Sequence, residues 1–148
     1  MGRTVTLEAA FQAQVRDEAI RAGWHIRPRD LADMNAQLAA LGQPAMDLPG
    51  LWFHAMIAYR SEPGWPDVFL VRRRDRRIVF AELKTDKPTS KLTPRQAQVM
   101  ELLQAVTSDP RALLAGHGVP DDVLAQLVTV EAYVWRPSDW DTIVEVLR

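Results

Sequence analysis

The chain has 148 residues, no cysteine, 47% hydrophobic residues and a formal net charge of −1. This length and composition predict one domain with a sizeable core, and the lack of cysteine excludes a disulfide scaffold, a thiolate zinc site and a cysteine nucleophile. No stretch approaches the roughly 18–20 consecutive apolar residues of a membrane span, and the N-terminus lacks the apolar region of a signal peptide. We therefore expect a soluble, cytoplasmic protein without a membrane partner.

The first third of the chain predicts two helices and a strand. A helix is expected over about 7–22, with its apolar residues at helical spacing, and Gly23 ends it. Residues 27–50 are punctuated by Pro and Gly around one short helical pattern, which we interpret as a helical insertion packed on the domain. Residues 51–59 are apolar and aromatic, and they predict a strand.

The middle of the chain predicts a β-hairpin. Two strand-like runs, 67–71 and 78–83, flank the charged tip 72–77. A turn centred on the middle of this tip pairs residues whose numbers add to 149, so Asp67 is expected opposite Glu82. A slip of one residue would still leave these two side chains neighbours.

The sequence after the hairpin carries three signals of a helix N-terminus. Thr93 can cap the helix, Pro94 suits its first position, and Gln96 occupies the place of a capping-box glutamine. The helix is expected to run to about Val106, with Val106 among the side chains that point inward.

The last third predicts short helices over 109–126, a strand over 127–135 and a final helix capped by Ser138. The order of elements is α, β, β, β, α, β, α with additions. It predicts an α/β fold with a mixed central sheet flanked by helices. We expect a single domain over 1–148, in which 27–50 and 109–126 are insertions.

Basic residues are concentrated in one part of the chain. Residues 72–95 hold nine basic and three acidic residues, a net charge of +6, whereas the rest of the chain holds nine basic and sixteen acidic residues, a net charge of −7. One basic face could therefore meet a polyanion such as DNA while the rest of the protein stays acidic. A solvated hairpin tip is the plainer interpretation.

Three charged residues of the hairpin have the chemistry of a metal site. Glu82 and Lys84 are two apart on a predicted strand, so their side chains leave the same face, and Asp67 can converge on them from the partner strand. Carboxylate and carbonyl oxygens suit Mg²⁺ or Mn²⁺, and a nearby lysine can neutralise charge that develops on a phosphate. Two other readings stay open: Asp67 as a turn residue after proline, and Glu82 with Lys84 as a cross-strand ion pair.

The sequence around these residues resembles the virus-type replication-repair nuclease family (VRR-NUC) of the PD-(D/E)xK nuclease superfamily. The resemblance covers the N-terminal helix and most of 51–148, without a counterpart for 27–50 or 109–121. The blocks that carry it, in family order, are GWPDVFL at 64–70, VFAELKT at 79–85, LTPRQ at 92–96 and YVWRPSDW at 133–140.

The resemblance implies a restriction-endonuclease-like αβββαβ core and a Mg²⁺ or Mn²⁺ site within it. The implied metal ligands are the carboxylates of Asp67 and Glu82 and the carbonyl of Leu83, with Glu8 of the first helix in support. Glu8 is equally explained as a first-turn acid that stabilises its helix dipole.

The resemblance also implies the residues around the metal. Lys84 matches the catalytic lysine, and Gln96 is expected near the active site, although its capping box with Thr93 explains it without any chemistry. We interpret His54 as a satisfied, partly buried histidine rather than a ligand, and Arg136 as either structural or phosphate-facing. The five tryptophans are interpreted as packing groups rather than as platforms for stacking bases.

These features predict a metal-dependent DNA endonuclease with structure-selective or weakly specific cutting. The family resemblance implies branched or junction DNA as the substrate, in phage or bacterial replication, recombination or repair. A homodimer would suit a symmetric junction. The alternative is a catalytically silent DNA-binding or accessory protein with the same fold, and an enzyme acting on RNA or free nucleotides is a third possibility. The expected contacts to the DNA backbone, which carry little sequence information, come from Arg72, Arg73, Arg74, Arg76, Arg77, Lys87, Lys91 and Arg95.

Overall fold

A computed structural model describes residues 4–55, 62–107 and 109–148, and within them four strands form one mixed sheet flanked by helices. The predicted α/β class and order of elements are confirmed. The predicted strand 51–59 is observed as far as His54, and its residues 56–59 lie outside the described part. In chain order the elements are α1 (Leu7–Arg21), α2 (Pro28–Ala40), β1 (Gly50–His54), β2 (Val68–Arg72), β3 (Arg77–Leu83), α3 (Pro94–Val106), α4 (Pro110–Leu114), α5 (Asp121–Leu124), β4 (Thr129–Trp135) and α6 (Trp140–Leu147).

The sheet has the strand order β1-β2-β3-β4, with β3 and β4 parallel and the other neighbours antiparallel. In the hairpin, Val68 pairs with Ala81 and Arg72 pairs with Arg77. This is the predicted register, and one further step places Asp67 opposite Glu82. The backbone of Asp67 continues the ladder on its other side, since its carbonyl accepts a hydrogen bond from the Ala55 N–H over 2.8 Å.

Helix α1 covers one face of the sheet. Thr6 caps the helix through a hydrogen bond from the Ala9 N–H to its Oγ1 over 3.1 Å, and the helix buries apolar residues four apart, Phe11, Val15 and Ala19. After the helix ends, Gly23 takes a φ of +80°, which a residue with a side chain rarely adopts. The core cluster joins this stripe to α6 and to alternate residues of the strands, including Val68, Leu70, Val79, Ala81 and Leu83.

Helix α3 lies against the other face. Successive strand residues point to opposite faces, so Glu82 leaves the sheet on the side away from the buried Ala81 and Leu83. Gln96, in the first turn of α3, bonds to Glu82 there. The N-terminus of α3 therefore stands over the end of β3, where the candidate residues lie.

Helix α2 lies in the predicted insertion; it has no fully buried residue, but Leu31 and Leu38 of its apolar pattern are half-buried. Two other local expectations are wrong. Val106 is 65% exposed, because α3 buries its middle, at Val99 and Met100, rather than its end. Ser138 does not cap α6: it lies in a short 3-10 turn and donates from Oγ to Asp86 over 2.7 Å, and Asp139 directly precedes the helix.

Within the described ranges, no helix combines the length and the apolar character needed to cross a membrane.

Candidate active site

Asp67 and Glu82 meet where β2 begins and β3 ends. Asp67 is half-buried, and its Oδ2 accepts a hydrogen bond from the Leu83 N–H over 2.9 Å. Glu82 is only 2% exposed. The hairpin register brings the two carboxylates together, and the bond to Leu83 holds the Asp67 side chain against the end of β3.

The Glu82 carboxylate is buried with incomplete pairing. Its Oε1 accepts from Gln96 Nε2 over 2.8 Å and lies 3.3 Å from Lys84 Nζ, whereas its Oε2 is buried with no hydrogen-bond partner among the described residues. Burial raises the pKa of Glu82 to about 7, and the charge of Asp67 adds to this rise while Lys84 opposes it. A buried carboxylate oxygen without a donor is costly and rare in folded proteins, so it indicates a position suited to a cation.

Lys84 follows β3 directly, and its N–H donates to the Trp135 carbonyl over 2.9 Å. This backbone bond continues the parallel ladder by one residue and fixes where the side chain starts. The Lys84 side chain is 15% exposed and ion-pairs with Glu82. Glu82 and Lys84 therefore do form an ion pair, but it joins two residues on the same face of β3 and its extension rather than two different strands.

Gln96 serves both of the roles that the sequence left open. Its Oε1 accepts from the Thr93 N–H over 2.9 Å, and Thr93 Oγ1 accepts from the Gln96 N–H over 3.1 Å, which completes the capping box. The amide nitrogen of the same side chain is left to donate to Glu82. The cap thus aims the amide nitrogen of the side chain at the candidate site.

The donor set fits a hard divalent cation in chemistry, though with fewer side chains than expected. Asp67 and Glu82 offer carboxylate oxygens, one of them buried without a hydrogen-bond partner in the described part of the chain. Among the described residues, no group of three or more histidine, aspartate or glutamate side chains is placed to hold one ion. The structure therefore does not bring Glu8 to this pair. Glu8 lies exposed in the first turn of α1, as a dipole-stabilising acid would.

A basic loop stands beside the pair. Residues 85–91, here called the 85–91 loop, follow Lys84 and expose Lys87 and Lys91. Arg136 closes this loop by donating from Nη1 to the carbonyls of Thr85, over 2.5 Å, and Ser90, over 2.8 Å. Arg136 is thus structural, and the sequence contained no signal for its partners, which lie 46 and 51 residues away.

Arg72 is not available to DNA, contrary to prediction. It is 1% exposed, it binds Asp75 through two hydrogen bonds of 2.9 and 2.6 Å, and it donates to the carbonyls of Ala22 and Leu147. Its guanidinium also lies 4.3 Å from the centre of the Trp24 ring. Every feature of this arginine is that of a buried structural cross-link.

Arg77 is likewise engaged within the protein. It forms two hydrogen bonds of 2.9 Å to Glu131 of β4 and stacks over the Trp24 ring at 5.0 Å. The predicted contact of Arg77 with DNA is therefore corrected as well. Both side chains are engaged in holding the hairpin tip to the rest of the fold. Arg72 bonds to the end of α1 and to α6, and Arg77 bonds to β4.

The remaining arginines of the tip, Arg73, Arg74 and Arg76, are exposed but lie far from the carboxylates. They stand at the opposite end of the hairpin from Glu82, and β3 separates the two ends by about 20 Å at roughly 3.3 Å per residue. Arg73 and Arg74 also donate to the carbonyls of Leu48 and Arg148. The +6 segment is thus two separate basic regions.

A cavity of about 390 Å³ has Asp67 among its lining residues. His54, Trp65, Arg95 and Gln96 are among its lining residues. The predicted partial burial of His54, at the end of β1, is confirmed. Trp65, predicted only as a packing group, also lines this cavity. Its position two residues before Asp67 was a usable signal for a place at the site.

The candidate active site therefore combines two carboxylates, a lysine and an amide donor at one end of the sheet, where Asp67 and Gln96 also line the cavity and the 85–91 loop follows Lys84. This arrangement could hold a divalent cation and place positive charge beside a bound phosphate. Comparison of the chain with protein families, with curated proteins and with solved structures finds no match in any of the three.

Proposed function

We propose that this protein is a Mg²⁺- or Mn²⁺-dependent DNA endonuclease of the VRR-NUC family. The carrying observation is the buried Glu82 carboxylate, which has one oxygen without a partner among the described residues and Asp67 beside it. A buried carboxyl group with an unpaired oxygen and a raised pKa adds nothing to stability, so a site that served only stability would gain nothing from it. The order α1, β1, β2, β3, α3, β4, with α2 inserted after the first helix, supports the restriction-endonuclease-like core.

Asp67 and Glu82 would hold the metal ion, with the Leu83 carbonyl as the third ligand that the family resemblance implies. A bound divalent ion would polarise the scissile phosphate and help to generate the attacking hydroxide. Before binding, Glu82 shares its Oε1 between Gln96 and Lys84. These two donors would keep the carboxylate oriented while its free oxygen turns to the ion.

Lys84 would place its ammonium group beside the scissile phosphate. It is anchored at the backbone by Trp135 and held within 3.3 Å of Glu82, so the metal ligand and the cation share one face of β3. Positive charge fixed in advance near a phosphate stabilises the extra negative charge that develops during hydrolysis. The role requires the charge of Lys84 and not merely its length.

DNA would approach along the 85–91 loop. Lys87 and Lys91 are exposed there, and Arg136 holds the loop in one conformation. Contacts from such lysines reach phosphates rather than base edges, so they position DNA without selecting a sequence. We therefore propose cleavage selected by DNA structure, with branched or junction DNA as the substrate class.

A cleavage assay with Mn²⁺ or Mg²⁺ on four-way, flapped and linear DNA tests this function. We expect the parent protein to cut, and Glu82→Gln and Lys84→Met to lose at least about a hundredfold in rate. Glu101→Gln, which neutralises an exposed carboxylate of α3, is the matched control and should keep the parent rate. If the parent cuts no faster than Glu82→Gln, the enzymatic proposal fails. Salt-dependent DNA binding without cleavage would then favour the silent DNA-binding protein.

A further inference from the structure

The cavity beside Asp67 has walls of mixed chemistry. Trp65 supplies an aromatic surface, and His54 and Gln96 supply groups that can donate or accept hydrogen bonds. Its volume of about 390 Å³ lies within the roughly 300–1,000 Å³ of small-molecule sites. We call it the Trp65 cavity.

One wall of the Trp65 cavity is held firmly to helix α3. Arg95 ion-pairs with Glu62 at 2.5 Å and donates from Nε to the Pro63 carbonyl over 3.0 Å. Gly64 has a φ of +87° and lies so close to Arg95 that an added Cβ would come within 2.9 Å of the Arg95 carbonyl carbon and oxygen. The turn before Asp67 therefore packs closely on α3 at Gly64, where a side chain would collide with the Arg95 backbone.

Trp65 itself is fixed by the sheet. Its ring meets the ring of Phe80 edge to face, with centroids 5.6 Å apart and an angle of 84° between the planes. The indole is only half-buried despite this contact. A partly exposed aromatic ring that already packs on the sheet is suited to stacking on a flat ligand, because binding orders it further at little cost in side-chain entropy.

The Trp65 cavity and the proposed metal site share residues. Asp67 lines the cavity, as does Gln96, which bonds to Glu82. A molecule in the cavity therefore lies next to any phosphate bound at a metal ion between the two carboxylates. In a DNA substrate, the group next to a phosphate is a nucleoside, whose base is flat and carries hydrogen-bonding edges.

We infer that the Trp65 cavity is a subsite for one unpaired nucleotide next to the scissile phosphate, with its base against Trp65. This inference rests on the proposed nuclease function and names the feature by which the enzyme would select its DNA. A base within a duplex is stacked and paired, so it reaches a cavity only after leaving the helix, and this is least costly where the base is already unpaired. Flaps and branch points supply such bases, whereas a continuous duplex does not.

Binding measurements separate this subsite from the cleavage chemistry. The full chain carrying Glu82→Gln is titrated against two labelled DNAs of equal length, a fully paired duplex and a duplex with a two-nucleotide flap. We expect the flapped DNA to bind about tenfold tighter, the size that stacking of one base supports. Trp65→Leu, which keeps apolar contact with Phe80 but lacks a flat ring, should reduce this preference to within twofold. Trp65→Phe should keep most of it.

The matched control is Phe53→Ala, which truncates a ring that is 49% exposed on β1 and does not line the cavity. It should leave the tenfold preference unchanged, and circular dichroism establishes that each variant is folded. Equal binding of both DNAs by the starting protein, or an undiminished preference in Trp65→Leu, overturns the inference. A preference that depends on Trp65 in a protein without metal-dependent cleavage would retain the subsite and reject the nuclease. Metal-dependent cleavage by a protein whose preference for flapped DNA does not depend on Trp65 would retain the nuclease and reject the subsite.

Discussion

Gln96 donates a hydrogen bond of 2.8 Å to Glu82, from the first turn of α3 to the penultimate residue of β3. The same side chain closes the capping box with Thr93, so the start of the helix and the orientation of the carboxylate depend on one amide. The stability of α3 and the geometry of the candidate site are therefore coupled through a single residue.

Replacing Gln96 by alanine should destabilise the protein by about 2 kcal/mol, because it removes part of a helix cap and a hydrogen bond to a buried charged group. Urea unfolding at neutral pH measures the change. Gln98→Ala is the control, since Gln98 is exposed on the same helix and alanine favours helices. Equal unfolding midpoints for the two variants would contradict the double role of Gln96.

Glu82→Gln should stabilise the protein at pH 8 in the absence of metal. Because burial raises the folded-state pKa of Glu82 from 4.5 to about 7, the unfolded chain gives up this proton more readily than the folded protein. Stability is therefore lost as the pH rises from about 4.5 to 7, and the neutral amide avoids that loss. We expect a gain of about 2 kcal/mol at pH 8 and little difference at pH 4.5. A variant that is less stable than the parent at both pH values would refute this account.

Divalent metal should stabilise the parent protein through the same carboxyl group. Millimolar Mn²⁺ at pH 8 is expected to raise the melting temperature of the parent by several degrees, because binding to the folded state alone adds to stability. Glu82→Gln and Asp67→Asn should show a much smaller shift, and Glu101→Gln the full shift. The measurement is a thermal melt with and without Mn²⁺, and equal shifts in all four proteins would place the metal elsewhere.

The hairpin register could be predicted from the sequence, whereas the bonding partners of its arginines could not. Two strand-like runs around a charged tip fix the pairing of Asp67 with Glu82 within a residue, because a hairpin is local. Arg72 is buried by Leu147, 75 residues away, and Arg77 by Glu131, 54 residues away. Such partners depend on how α6 and β4 return to the tip. The net charge of residues 72–95 also does not show that β3 lies between the charged tip and the candidate site and separates them.

Asp75 should stabilise the protein at neutral pH and cease to do so in acid. Burial alone would raise its pKa, but the hydrogen bonds and charge of Arg72, together with Arg77 and Arg74, outweigh burial and hold the pKa below its ordinary value. A carboxyl group with a lowered folded-state pKa contributes stability above its unfolded pKa of 3.8, and this contribution is lost as the pH falls through the folded pKa.

Asp75→Asn is therefore expected to lose about 2 kcal/mol at pH 7, since it leaves the buried Arg72 without its counter-charge. The difference from the parent should shrink below about pH 3. Urea unfolding at pH 7 and in acid measures it, with Asp33→Asn on the exposed surface of α2 as the control. An equal deficit at both pH values would assign the effect to packing rather than to charge.

The two basic regions should contribute unequally to DNA binding. Lys87 and Lys91 lie in the loop next to Lys84, whereas Arg73 and Arg76 lie at the opposite end of the hairpin, about 20 Å away along β3. Each lysine that contacts a phosphate adds about 0.9 to the slope of log affinity against log salt. The double variant Lys87→Ala with Lys91→Ala should therefore weaken DNA binding and reduce this slope by roughly 2, whereas Arg73→Ala with Arg76→Ala should change neither. Fluorescence anisotropy across a salt series, in the Glu82→Gln background, supplies both quantities. A larger slope change from the arginine pair would show that DNA follows the tip and not the 85–91 loop.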